Sequence, residues 1–298
     1  MNTPSEFKLQ ESAQSLLEKD LSAKLEGVFQ DKFVVHALVK DTLSTLKESL
    51  QRPRVERPVC WLIIGPVNSG KSALVHRLQR DLGGDAERKV GAINELPLLV
   101  IEVPSRPTEP RLNLAIARAL RMPVASEHES RRISDTILRN LIQRKVRMIV
   151  FVEMDHFEPL PEDEQTVVFD FIKNITNEGI VVVGVGTEDC RKAIENHKAL
   201  ASRFRPRFLT GFAPGEEFCD FLTTLESFYP FPNRSFLESD HLRTAIFKRT
   251  NGVVGEVVLL LNEAAAWALR QGRPCIDDDA LTKCAYTESL LPGSKRKT

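Results

Sequence analysis

The stretch Trp61-Leu62-Ile63-Ile64-Gly65-Pro66-Val67-Asn68-Ser69-Gly70-Lys71-Ser72-Ala73-Leu74-Val75-His76-Arg77-Leu78 runs from an apolar strand through a turn into a helix. The turn, Gly65 to Ser72, matches G-x-x-x-x-G-K-S in the strand–loop–helix setting that gives this pattern its meaning. Glycines let the backbone curl until successive N–H groups point at one anion. The helix N-terminus adds a positive dipole end. Lys71 is placed to reach the β- and γ-phosphates of a nucleotide, and the Ser72 hydroxyl to reach Mg²⁺. Gly65, Pro66, Val67, Asn68, Ser69, Gly70, Lys71 and Ser72 are therefore the candidate ATP cradle.

Around this turn, short apolar runs alternate with helical stretches. Val59–Ile64, Leu96–Val103, Arg147–Val152 and Ile180–Val185 read as strands. Ser72–Asp81, Arg111–Leu120, Ile133–Gln143 and Thr166–Thr176 read as helices. Continuously apolar strands alternating with helices predict an α/β fold with a parallel sheet covered on both faces. Upstream, residues 6–50 read as helix, ended by Pro53. Beyond Pro214 the strand signals stop, and 216–228, 238–250, 255–270 and 277–287 read as four helices, the last capped by Asp277. The expected divisions are a helical extension over 1–55, a nucleotide-binding domain over 56–213, a helical lid over 214–290 and a disordered tail over 291–298.

Nucleotide chemistry needs acids at the end of a second strand. The candidate is Arg147-Met148-Ile149-Val150-Phe151-Val152-Glu153-Met154-Asp155-His156-Phe157, which lacks two adjacent acids. If Glu153 is the metal-side acid, the usual water-orienting position falls on Met154. If Glu153 orients water, the metal position falls on Val152. Asp155 can substitute for either, depending on how the strand ends. Thr187, after Val181-Val182-Val183-Gly184-Val185-Gly186, sits where a polar group can sense a γ-phosphate, or can cap the next helix. Arg203 precedes the helical segment and can reach a neighbouring subunit's nucleotide, or pair with a surface acid.

Composition narrows the partners. The chain has 298 residues, with 41 basic and 41 acidic, so any nucleic-acid contact must come from a local patch. The five cysteines are scattered without a Cys-x-x-Cys pair, which predicts neither zinc nor disulfides and fits a reducing cytoplasm. No apolar run reaches the length of a membrane span, and the first residues lack the order of a signal peptide.

Taken in order, Pro53-Arg54, the Gly65–Ser72 loop in its Asn-Ser-Gly-Lys-Ser form, Val103-Pro104-Ser105-Arg106-Pro107 and Arg147-Met148-Ile149-Val150 form a particular pattern. Val183-Gly184-Val185-Gly186-Thr187, Ser202-Arg203-Phe204 and Asn251-Gly252-Val253-Val254-Gly255-Glu256 complete it. Over residues 33–285 the chain resembles the AAA+ ATPases of the TniB/TnsC kind, regulators of DNA transposition. The resemblance implies a P-loop AAA+ fold and an ATP-dependent ring or filament on duplex DNA that recruits a transposase, with a target-selection adaptor as a further partner. It places sequence-independent backbone contacts on Ser105, Arg106, Thr108 and Arg111, with Arg131 and Arg132 as weaker candidates. The family usually carries Asp-Glu, a hydrophobic residue and His at the acidic strand end. Matching that His to His156 puts Glu153 on the aspartate and Met154 on the glutamate. Hydrolysis is therefore the property in question: the expectation is a slow ATPase using Glu153, Asp155, Thr187 and Arg203, with Ser72 and Glu153 at the metal. The alternatives are a scaffold that binds ATP without turnover, or an AAA+ motor or loader of another branch.

Overall fold

The computed structural model describes residues 7–82, 95–123 and 134–288. Arg131, Arg132 and the tail 291–298 lie outside the described residues. The chain divides into two compact units, one of residues 38–209 and one that joins residues 1–37 to 210–298. The expected extension over 1–55 is thus shared between them.

The 38–209 unit is built on five parallel strands. These are β1 (Cys60–Ile64), β2 (Leu98–Glu102), β3 (Met148–Val152), β4 (Val181–Gly186) and β5 (Phe204–Phe208), in the order β2-β3-β4-β1-β5. The four predicted strands are present as apolar runs: β4 is buried throughout, in β3 only Val152 escapes full burial, and β2 alternates buried and part-exposed residues up to the exposed Glu102. β5 went unpredicted. Its Phe-Arg-Pro-Arg-Phe carries charges and a proline, which only an edge strand tolerates.

Helices α4 (Lys71–Asp81), α5 (Glu109–Ala119), α6 (Ser134–Gln143), α7 (Glu162–Asn177), α8 (Glu188–Asn196) and α9 (Lys198–Ala201) supply the crossovers, and α3 (Ala37–Gln51) precedes β1. Their apolar stripes, such as Leu112 and Ile116 of α5 with Val168, Ile172 and Ile175 of α7, close on the sheet in one core. Helices α8 and α9 were not among the predicted helical stretches.

The second unit contains α1 (Glu11–Gln14), α2 (Leu21–Phe29), α10 (Glu216–Glu226), α11 (Asp240–Thr250), α12 (Val254–Arg270) and α13 (Asp278–Lys283). Its core gathers Val28 with Phe218, Leu222, Leu225, Tyr229, Leu260 and Leu261. The helix predicted over residues 6–50 is corrected to three pieces. Asp20 caps α2 by accepting from the Ala23 amide at 2.9 Å, and Gln30 turns the chain extended at its end. Asp277 caps α13 as expected, accepting from the Ala280 amide at 2.9 Å. No single described helix is long and apolar enough to cross a membrane. The pair α11 and α12 is together long and apolar enough but is bent by 117°, with Ile246, Leu260 and Leu261 buried in the unit's own core.

Candidate nucleotide site

Strand β4 lies between β1 and β3, so the carboxyl ends of these three strands form one crevice. In open parallel sheets this is where ligands bind. The loop after β1 is fixed to that edge: the Gly65 amide donates to Gly186 O at 3.2 Å, and the Leu209 amide to Ile64 O at 2.7 Å. Gly70 has φ +88°, a left-handed conformation open to glycine at little cost, and it starts α4. The residue that starts α4 is a glycine, with no side chain of its own to occupy the first-turn N–H groups, the place where a helix takes an anion.

Lys71 curls back over the loop and donates to Gly65 O at 2.8 Å and Pro66 O at 2.7 Å. Burial pulls its ammonium below the usual lysine range, while the negative charges of Asp155 and then Glu153 pull it back up. Both acids therefore share an electrostatic neighbourhood with the loop lysine. Ser69 is only 3% exposed, and its hydroxyl has no hydrogen-bond partner. An orphaned buried hydroxyl is uncommon and calls for a partner that completes it.

The acidic strand end resolves into a tight turn. Glu153 follows β3 with φ +60° and begins a short 3₁₀ turn over Met154–Phe157. A charged non-glycine residue in this conformation marks local strain of the kind found at functional sites. Glu153 is exposed, whereas Met154 is fully buried under the sheet. The position matched to the usual glutamate therefore faces the core and carries no chemistry. Asp155 is half-buried, and its Oδ1 accepts from the Thr187 amide at 2.7 Å and the Thr187 hydroxyl at 2.6 Å. Gly186 makes this approach possible, because a Cβ there would stand 3.1 Å from Asp155 Oδ1 and 2.7 Å from Cys190 Cβ. The Cys190 thiol is pushed well above the ordinary range by burial and, secondarily, by the Asp155 charge. Of the two readings of Thr187, the helix cap is present: its side chain accepts from the Asp189 amide at 3.4 Å at the start of α8.

The remaining candidates lie elsewhere in this unit. Arg203 donates to Lys173 O at 3.3 Å, to the Thr176 hydroxyl and to Asn177 Oδ1 at 2.7 Å, which caps the C-terminus of α7. Within the chain it is thus not a free cation. It lines a cavity of about 390 Å³ with Arg57, Lys173 and Arg205, and among the described residues no carboxylate lines that cavity. Ser105 and Arg106 are exposed after β2, and Arg106 has φ +52°. Thr108 caps α5 by accepting from the Arg111 amide at 3.4 Å. The Arg111 guanidinium donates to Ser105 O at 3.1 Å and Arg106 O at 3.4 Å. Thr108 and Arg111 therefore shape the loop that presents Ser105 and Arg106.

The residues present fit a magnesium triphosphate. Open amides, Lys71 and the orphaned Ser69 hydroxyl suit phosphate oxygens. Ser72, Glu153 and Asp155 are hard oxygen donors of the kind Mg²⁺ takes alongside substrate phosphates. Among the described residues no cluster of three or more His, Cys, Asp or Glu could hold a metal by itself.

A sequence model of the family described as bacterial TniB protein matches residues 24–214. No curated protein matches the chain. Among solved structures, it is similar to Drosophila ORC bound to DNA, with a TM-score of 0.62 and 14% identity over 95% of this chain and 68% of that one. It is also similar to the Aeropyrum pernix ORC1 protein in complex with DNA, with a TM-score of 0.60 and 18% identity over 87% and 68%. Cdc6p from Pyrobaculum aerophilum gives a TM-score of 0.55 and 17% identity over 84% and 68%. At these identities the likeness is one of fold, the P-loop AAA+ fold with helical N- and C-terminal parts.

Proposed function

Since the chain belongs to the TniB family, we propose that it is an ATP-dependent regulator of DNA transposition that assembles on duplex DNA and recruits a transposase. The observation that carries this reading is the connected cluster at the strand ends: Lys71 bonded to Gly65 O, Gly65 bonded to Gly186, and Thr187 bonded to Asp155. Phosphate-binding loop, acid and polar strand end therefore meet in one crevice.

In this reading the amides at the start of α4, with Lys71 and the Ser69 hydroxyl, hold the phosphates. Ser72 and Glu153 hold the metal, which when bound neutralises charge developing on the phosphate oxygens. Asp155, aimed by Thr187 and coupled to Lys71, orients the attacking water in place of the buried Met154. An aspartate is one methylene shorter than the usual glutamate, so slow turnover is the expected consequence. Ser105 and Arg106 touch the DNA backbone, consistent with contacts that carry no sequence information. Arg203 and the carboxylate-free cavity around it are assigned to the triphosphate of a neighbouring copy, which would require Arg203 to leave the end of α7.

The burial of Met154 also favours a second reading, a scaffold that binds ATP without turnover. Electron microscopy of the protein with duplex DNA, with and without a non-hydrolysable ATP analogue, tests the shared core of both. Rings or filaments that need both DNA and nucleotide, and that vanish in Lys71→Ala, are the expected result. Single particles under every condition would overturn the proposal. Steady-state phosphate release then separates enzyme from scaffold.

A further inference from the structure

The turn that carries the two acids also grips the loop assigned to DNA. Val103 continues the ladder beyond β2, its amide donating to Val152 O at 3.0 Å. Its own carbonyl lies 2.8 Å from His156 Nδ1. A carbonyl only accepts, so Nδ1 carries the proton in this contact. His156 in turn is fixed to the acidic turn, because its amide donates to Glu153 O at 3.2 Å. Its sequence neighbour Asp155 is held by Thr187.

Two and three residues beyond Val103 stand Ser105 and Arg106, the second in a left-handed conformation. That backbone is pinned on its other side by Arg111. The segment 104–106 is therefore clamped between Arg111 and the acidic turn, with the imidazole of His156 as its side-chain link to that turn. The strained residues Glu153 and Arg106 flank the link. Strain of this kind persists only where the surroundings hold it in place.

We propose that His156 is a positioning residue that couples nucleotide occupancy to the DNA grip, by tying the Val103 carbonyl to the turn bearing Glu153 and Asp155. A shift of that turn as Glu153 takes up its place at a nucleotide-bound metal would be passed to Ser105 and Arg106 through one hydrogen bond. The inference rests on the nucleotide and DNA roles proposed above.

The test measures affinity for a labelled duplex by fluorescence anisotropy, without nucleotide and with saturating non-hydrolysable ATP analogue. Two variants are compared with wild type: His156→Phe keeps a ring of similar volume without a donor, and His156→Asn keeps an N–H near the Nδ1 position. Labelled-nucleotide affinity and melting temperature are recorded for each. Expected for His156→Phe is near-wild-type nucleotide binding, with the nucleotide-induced gain in DNA affinity reduced at least about fivefold, the lower end of ordinary coupling. His156→Asn should recover most of that gain. An unchanged gain in His156→Phe overturns the proposal. So does a loss that His156→Asn fails to restore while both variants melt early, which marks a purely structural histidine. A wild-type protein that binds neither labelled nucleotide nor DNA overturns the underlying reading as well. That outcome is told apart by the wild-type titrations alone.

Discussion

Glu153 and Asp155 stand two residues apart yet meet different surroundings, and the roles proposed for them divide along that difference. Glu153 is exposed at the end of β3, while Asp155 is half-buried and accepts two hydrogen bonds from Thr187. A carboxylate held by an amide and a hydroxyl keeps its direction, which is what orienting a water molecule requires. Glu153→Gln is expected to weaken Mg²⁺-dependent nucleotide binding, seen as a raised metal requirement in a titration with labelled ATP. Asp155→Asn is expected to leave nucleotide affinity within about threefold while lowering kcat at least about tenfold, the pattern of an interaction made in the transition state. Equal kcat in Asp155→Asn and wild type would remove Asp155 from the reaction. This distinction was not legible in the sequence. The spacing Glu-Met-Asp leaves open which acid faces the loop, and only the left-handed residue at 153 and the turn after it decide that Met154 goes inward. The motif makes Ser69 one cradle residue among eight, but its orphaned hydroxyl is a property of packing, invisible to a motif.

Elements were legible where burial set the residue types and illegible where an edge or a cap did. Strands β1, β3 and β4 announce themselves as apolar runs because both faces are covered, and the edge strand β2 keeps an apolar run with alternate residues buried. β5 hides behind Arg205, Pro206 and Arg207, and it pairs on its described side with β1 alone. The break of the N-terminal helical pattern turns on Asp20, whose capping carboxylate outweighs the apolar periodicity running through it. Arg203 shows the same ambiguity in reverse: a residue read for its reach outward secures a helix end inward. Its three acceptors lie in and just before the last turn of α7, where a cation also suits the helix dipole. Arg203→Ala is therefore expected to destabilise the protein by about 1–2 kcal/mol. Thermal unfolding should register this as a loss of roughly 2–6 °C, with Arg203→Lys intermediate. An unchanged melting temperature would show that the cap contributes nothing. In the helical unit, Lys32 donates to Val28 O at the end of α2, to Gln30 O at 3.2 Å and to Asn262 Oδ1 at 3.3 Å. Burial lowers its pKa to about 8 from 10.5, with the Asp31 charge opposing. Between these values the unfolded chain holds a proton that the folded chain has released, so the Lys32 contribution to stability rises with pH. Below about pH 8 both states hold it, and the contribution is flat. The melting temperature of wild type relative to Lys32→Gln should therefore improve as pH is raised from about 8 to 10. A constant difference across that interval would contradict the assignment.

At the scale of the whole molecule, charge balance governs how DNA can be held. With 41 basic and 41 acidic residues the chain offers no general attraction to a polyanion, so the proposed DNA affinity must come from locally placed cations. Each phosphate neutralised releases condensed counterions, and the logarithm of the binding constant falls with the logarithm of salt by about 0.9 per contact on duplex DNA. The loop after β2 presents Arg106 outward while Arg111 is engaged with the loop's own carbonyls. If this loop carries the proposed contact, one or two phosphate contacts per protomer follow, and so does a shallow per-protomer salt slope of about −1 to −2. Useful affinity then requires many protomers on one duplex, since linked weak contacts multiply where a single one fails. The prediction has two parts that must hold together. Arg106→Ala should reduce the per-protomer slope by about 1 and weaken binding to all sequences alike. On duplexes of increasing length, wild-type affinity should climb steeply with the number of protomers accommodated, and only in the presence of nucleotide. Anisotropy titrations over a salt series and a length series measure both. A steep slope on the shortest duplex would mean that a larger basic surface, elsewhere on the chain, carries the contact.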